Sequence, residues 1–216
     1  MENRLLLLVK KLEEALVLYE QQEKYDLALE HYREVELEVA KLIESNLADG
    51  ASANKVLAQC YLRQAGMLRQ LGRRDEANVI NKKEIESAKL SGDSIAYAQS
   101  LFSTGINLLS SRQIEDGLSF LNEAKDAFEK GESADHRQGV GWYWLILADL
   151  GNKGMIPAEN NETIEYATKA IAILEDIGNL PGIARAYEAR SIAYKNKGDD
   201  DRAEEDQKRS KAQRGT

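Results

Sequence analysis

Apolar residues recur three and four positions apart along almost the whole chain, the period of a helix with one buried face. Short breaks with loop chemistry interrupt this pattern at 22–24, 45–52, 72–74, 91–93, 110–113, 131–133, 151–161, 178–181 and 197–199. These nine breaks divide the chain into ten predicted helices of roughly 12 to 20 residues, an ordinary length for globular helices. Several breaks place Gly just past one helix and Asp or Ser just before the next, as at Ser91-Gly92-Asp93. Gly tolerates the left-handed conformation that ends a helix, and Asp or Ser accepts from the free N–H groups that begin one. No stretch alternates apolar and polar residues as a half-buried strand does, so no sheet is expected.

Composition agrees and removes several classes of function. Two prolines among 216 residues, with abundant Ala, Leu, Glu, Lys and Gln, suit helices. A single cysteine excludes an intramolecular disulfide and a thiolate zinc cluster, since both need at least two thiols. Cys60, within a helical pattern, is expected to be buried and inert. A formal charge of −8 speaks against a nucleic-acid surface, which needs a basic patch. The apolar run Leu5 to Val9 is too short to span a membrane or to form a secretory signal, and reads as the start of an amphipathic helix. A reducing cytoplasm is the expected compartment. The sequon at Asn161 and Thr163 carries no weight there.

Ten helices in short-looped pairs invite a search for repeats. In the last pair, Ala184, Tyr187, Ser191 and Tyr194 precede Lys197-Gly198-Asp199 and Ala203. This spacing resembles the tetratricopeptide repeat, which has a large residue at position 4, a small one at 8, an aromatic at 11 and Ala at 20. The same template selects Leu12, Leu16, Tyr19 and Ala28, then Tyr61, Ala65, Leu68 and Ala77, then Leu101, Gly105, Leu108 and Gly117. The fourth pair departs from it. Counted from Asp135, Tyr143 takes position 4, Leu147 position 8 and Leu150 position 11. Ala28, Ala77, Gly117 and Ala203 are spaced by 49, 40 and 86 residues, longer than the usual period of about 34. The chain is similar to the long-helix variety found in bacterial regulators and light-chain-type adaptors.

The resemblance implies an all-α, right-handed superhelical solenoid of about five antiparallel hairpins, roughly 2–45, 52–91, 93–130, 134–177 and 180–214, forming one domain over 1–216. Each hairpin would bury its apolar face only against its neighbours. The highly charged segment from Asp199 to Arg214 would be a capping helix facing solvent. First helices would line a concave surface. Positions 2, 5, 9 and 12 of those helices give a groove with Leu62, Phe102, Ile106, Leu109 and Trp144 as its apolar middle, Gln59 and Gln99 beside it, and Arg69 further on. An apolar strip with amides that both donate and accept suits an extended segment or helix of a protein partner. The carboxylate clamp of co-chaperone domains is absent, because Glu13, Val17, Arg63, Gln99 and Ser103 stand in its places. Residues 13–44 hold ten acidic side chains against Lys24, Arg33 and Lys41, so the acidic balance is largely one end of the chain.

Nothing points to catalysis, a metal or a cofactor. His31 and His136 belong to no metal-ligand spacing. There is no nucleophile elbow and no phosphate loop, and no strand precedes Gly139-Val140-Gly141. The expected function is a non-catalytic scaffold binding a protein or peptide, with no nucleic acid and no membrane, and homo-oligomers open. The alternative is a peptide- or ligand-sensing module that acts on a separate effector protein.

Overall fold

The computed structural model describes residues 2–214, and side chains from Arg4 onward. Ten α-helices occur among the described residues: α1 (Glu2–Leu18), α2 (Tyr25–Glu44), α3 (Gly50–Gln70), α4 (Arg74–Ser91), α5 (Ser94–Ser110), α6 (Ile114–Phe128), α7 (Ala134–Asn152), α8 (Asn160–Asp176), α9 (Leu180–Lys197) and α10 (Asp200–Arg214). A short 3-10 turn, Glu20–Gln22, follows α1. No strand is found among the described residues. The helix ends follow the loop chemistry. Gly92 closes α4 in the left-handed region with φ of 68°, and the Asp93 carboxylate accepts from the N–H groups of Ile95 and Ala96 to open α5. α3 starts at Gly50, ahead of the expected position 52, because Asp49 accepts from Ser52 N at 2.8 Å.

Two compact units divide the chain, Met1–Ala127 and Phe128–Thr216. In the first, α2 packs on α1 and α3, and α4 packs on α3 and α5. Its core centres on Leu12, Ala28, Tyr32, Val39, Cys60 and Leu68. Cys60 is fully buried and donates from Sγ to the Tyr32 carbonyl at 2.8 Å. Burial pushes its thiol up to about 12, so it is a packing residue. Polar ties cross the same stack. Glu36 of α2 accepts from Gln64 at 2.8 Å and Tyr61 at 3.1 Å on α3, and from Lys83 of α4 at 3.0 Å. Burial alone would raise the Glu36 carboxyl, but these hydrogen bonds and the lysine charge outweigh it and lower it.

The third hairpin crosses at two glycines. A Cβ at Gly105 of α5 would stand 2.9 Å from the Gly117 carbonyl oxygen and from Leu121 of α6. These are the small-residue places of the repeat template, and the two backbones touch there because neither carries a side chain.

The second unit pairs α7 with α8 and α9 with α10, with α8 packed on α9. Its core joins Leu145, Ala170, Leu174, Ile183 and Ala186. The Ser191 hydroxyl donates to the Ala203 carbonyl at 2.7 Å where α9 crosses α10. α10 does not face solvent on all sides. It buries Ala203, Asp206 and Ser210, and Asp206 takes two bonds from Arg190 of α9, at 2.7 and 2.9 Å. A helix with so little apolar surface is held by a bidentate ion pair whose side chains are only 14% and 5% exposed.

Two alanine substitutions should have opposite signs. Gly105→Ala forces the α5–α6 backbones apart and should cost about 1 to 2 kcal/mol after its gain in helix propensity. Gly66→Ala, whose Cβ meets only an Arg69 side-chain nitrogen at 3.8 Å, should add about 0.5 to 1 kcal/mol. Urea unfolding followed by circular dichroism checks both.

Candidate functional site

In the first unit the leading helices of successive hairpins adjoin one another, α1 against α3 and α3 against α5. Cavities open along this row. One, of about 630 Å³, lies between the N-terminal halves of α1 and α3 and is lined by Leu5, Leu6, Val9, Ala48, Asp49, Ser52, Lys55, Val56 and Gln59. The next, of about 320 Å³, is lined by Val9, Leu12, Glu13, Leu16, Gln59, Leu62, Arg63 and Gln99. Val9 and Gln59 border both, so the two form one cleft across α1, α3 and α5.

The cleft has an apolar floor and fixed charges at its rim. Lys55 bonds the Asp93 carboxylate at 2.7 Å, and Arg63 reaches Glu20 at 3.4 Å. Partial burial would raise the Asp93 carboxyl, but Lys55 and the helix-opening amides lower it. Gln59 and Gln99 are exposed, with their amides available to a bound chain.

Of the residues singled out from the sequence, Gln59, Leu62 and Gln99 are brought together here. Phe102 and Ile106 follow Gln99 along α5 and are half-buried. The other three stand elsewhere. Leu109 is buried, not groove-lining, because the missing side chain of Gly117 leaves a hollow on α6 that the leucine fills. Arg69 turns into the packing of α3, α4 and α5, where it donates to Ser103 Oγ at 3.3 Å beside the buried Glu84. Trp144, in the second unit, stacks on Tyr166 of α8 with ring centroids 5.7 Å apart and lies 4.4 Å from the Lys169 ammonium.

The physical reason for the Trp144 difference is a one-residue shift of register in α7. Gly141 sits against Leu174 of α8, and a Cβ there would come within 2.8 Å of it. Trp144 therefore takes the large-residue place inside the hairpin, and Ala148, fully buried, takes the small one. Trp142 turns instead toward α9, 5.2 Å from the Arg185 guanidinium, which also bonds Asp149 at 3.1 Å.

Sequence reasoning passed over the α1 side of the cleft. The available signal was the run Leu5 to Val9, five consecutive apolar residues where one buried face needs only two or three. The surplus, Leu5, Leu6 and Val9, lines the cavity.

No protein-family model and no curated protein sequence matches the chain. Solved structures do. BtubC (BKLC) from P. vanneervenii superposes with a TM-score of 0.66 at 18% identity, covering 99% of this chain and 91% of that one. A putative kinesin light chain from P. anserina with nearly identical TPR-like repeats gives 0.63 at 17%, covering 96% and 94%. MamA gives 0.50 at 17%, covering 91% and 92%. The fold is of the tetratricopeptide type. At such low identity the likeness is one of architecture. The tetratricopeptide-type register places Gly105 and Ser191 at the small-residue position, where each is found touching the following helix.

Glu84 is the strongest electrostatic anomaly near the row. It is 1% exposed, and its Oε2 finds no hydrogen-bond partner among the described residues. Burial pushes its carboxyl well above the ordinary carboxylate range, and the nearby Arg69 offsets this only in part. An acid whose pKa is raised by folding holds its proton longer in the folded state. Its stabilising balance is therefore full below the unfolded carboxylate range, near pH 4.3, and declines as pH rises toward the folded value. Glu84→Gln should remove that decline. Denaturant melts across pH 5 to 8 should show the variant gaining on the parent as pH rises. A parent that gains on the variant would mean an ionised Glu84 paired with Arg69.

Proposed function

We propose that the chain is a non-catalytic interaction scaffold that holds a segment of a partner protein in the cleft between α1, α3 and α5. The observation that carries this reading is the continuity of the cleft, in which the two cavities share Val9 and Gln59. Each volume is within the range of sites that take several side chains of a ligand. Leu6, Val9, Leu16 and Leu62 offer apolar contact, and Gln59 and Gln99 can bond a peptide backbone in either sense. Lys55, Glu13 and Arg63 at the rim would set the direction of the bound segment. Phe102 and Ile106, half-buried on the turns of α5 that follow Gln99, would extend the floor for a longer segment. Tetratricopeptide-type neighbours favour a protein-interaction scaffold in general.

The side chains with most chemical potential are occupied structurally, which supports a role without catalysis. Cys60 is bonded to the Tyr32 carbonyl. His31 stacks on Tyr19 with centroids 4.6 Å apart, and His136 Nδ1 lies 2.8 Å from the Ser133 hydroxyl that caps α7.

Peptides selected from a display library on the full chain test the reading. Leu62→Ala combined with Gln59→Ala should weaken cleft-binding peptides by about 2 kcal/mol, as expected of anchor residues, with the thermal melt unchanged. Selected peptides that all bind the double variant with parental affinity would overturn the site. Isothermal titration provides the readout.

A further inference from the structure

α1 carries a second face, turned away from the core, and this face borders the cleft at Leu6 and Glu13. Leu6, Leu7, Val17 and Leu18 are each more than half exposed on it. Lys10, Lys11, Glu13 and Glu14 are exposed between them. Helical spacing sorts these eight residues into two neighbouring rows, Leu6, Lys10, Glu13, Val17 and Leu7, Lys11, Glu14, Leu18. Each row reads apolar, basic, acidic, apolar. Such an order complements itself when it is reversed.

We infer that this face is a self-association surface, on which a second copy of the chain lays its own α1 antiparallel about a two-fold axis crossing near Leu12. Leu6 then meets the other copy's Val17 and Lys10 its Glu13, while Leu7 meets its Leu18 and Lys11 its Glu14. A two-fold interface uses one patch twice and must be complementary to itself, and both rows satisfy this, with centres half a residue to either side of the level of Leu12. A parallel arrangement would set Lys against Lys and Glu against Glu. No ion pair with another described residue engages Lys10, Glu13 or Glu14. Lys11 bonds Glu38 of α2 at 2.6 Å, but both side chains are about half exposed, so this lysine can serve a second carboxylate beside it. One pair of helices buries less than the roughly 1,600 Å² of a standard stable interface, so the dimer is weak and reversible. Its central charge pairs make it sensitive to salt.

Sedimentation velocity of the full chain, from low to high micromolar concentration and at low and high salt, tests this. The expected result is a concentration-dependent shift toward dimer that high salt diminishes. Lys10→Glu with Lys11→Glu makes the face acidic, and Glu13→Lys with Glu14→Lys makes it basic. Each variant alone should associate at least tenfold more weakly, and an equimolar mixture of the two should restore association. Leu7→Gln with Leu18→Gln serves as a second probe. It touches neither the core nor the cleft, and should weaken association tenfold while peptide binding in the cleft is retained. A parent chain that stays monomeric throughout, association indifferent to both charge reversals, or a mixture that fails to restore it would overturn the proposal.

Discussion

How closely two helices can cross is set by the side chains at the crossing, and the architecture of this protein follows from that constraint. At Gly105 and Gly117 there are no side chains, and the α5 and α6 backbones come into contact. At Ser191 and Ala203 the side chains are small, and the serine hydroxyl reaches the opposing carbonyl. Within each unit, close crossings leave a hairpin with a broad apolar face, which it buries against its neighbour in that unit. In the first unit this arrangement sets α1, α3 and α5 side by side. The cleft is the seam that their side chains do not fill.

Polar groups complete what apolar packing leaves undone, and do so differently in the two units. In the first, Glu36 gathers Tyr61, Gln64 and Lys83 and so fastens three successive helices. In the second, α10 has almost no apolar surface and is anchored by Asp206 on Arg190. Removing one partner of such a buried pair is more damaging than the net worth of the pair, because the other charge is stranded. Glu84 shows the opposite condition, a buried carboxyl with incomplete partners, where neutrality is the cheaper state.

Much of the fold was legible in the sequence because it depends on period and on punctuation. Ten helices, their breaks and the small-residue crossings follow from apolar spacing, Gly–Asp caps and Gly105, Gly117 and Ala203. The candidate site was only partly legible, because a groove depends on the rotation of each helix. Gln59, Leu62 and Gln99 lie on helices whose register was marked by small residues. In α7, Trp142, Tyr143 and Trp144 are adjacent and similar, so nothing local to them decides which turns inward. The contact of Gly141 with Leu174 decides it, and that contact is tertiary. Leu109 and Arg69 were misplaced for a related reason. A hollow left by Gly117 on the next helix takes in Leu109, and the Ser103 hydroxyl of α5 takes in Arg69, and both partners lie on other helices.

The central claim is that the seam of α1, α3 and α5 receives a segment of another protein. It is tested most directly by nuclear magnetic resonance of the full chain titrated with a display-selected peptide. The account predicts that the largest shifts fall on the side-chain amides of Gln59 and Gln99 and on the methyls of Val9 and Leu62. Shifts confined to α2, α4 and α6, or to the second unit, with those groups unmoved, would contradict it.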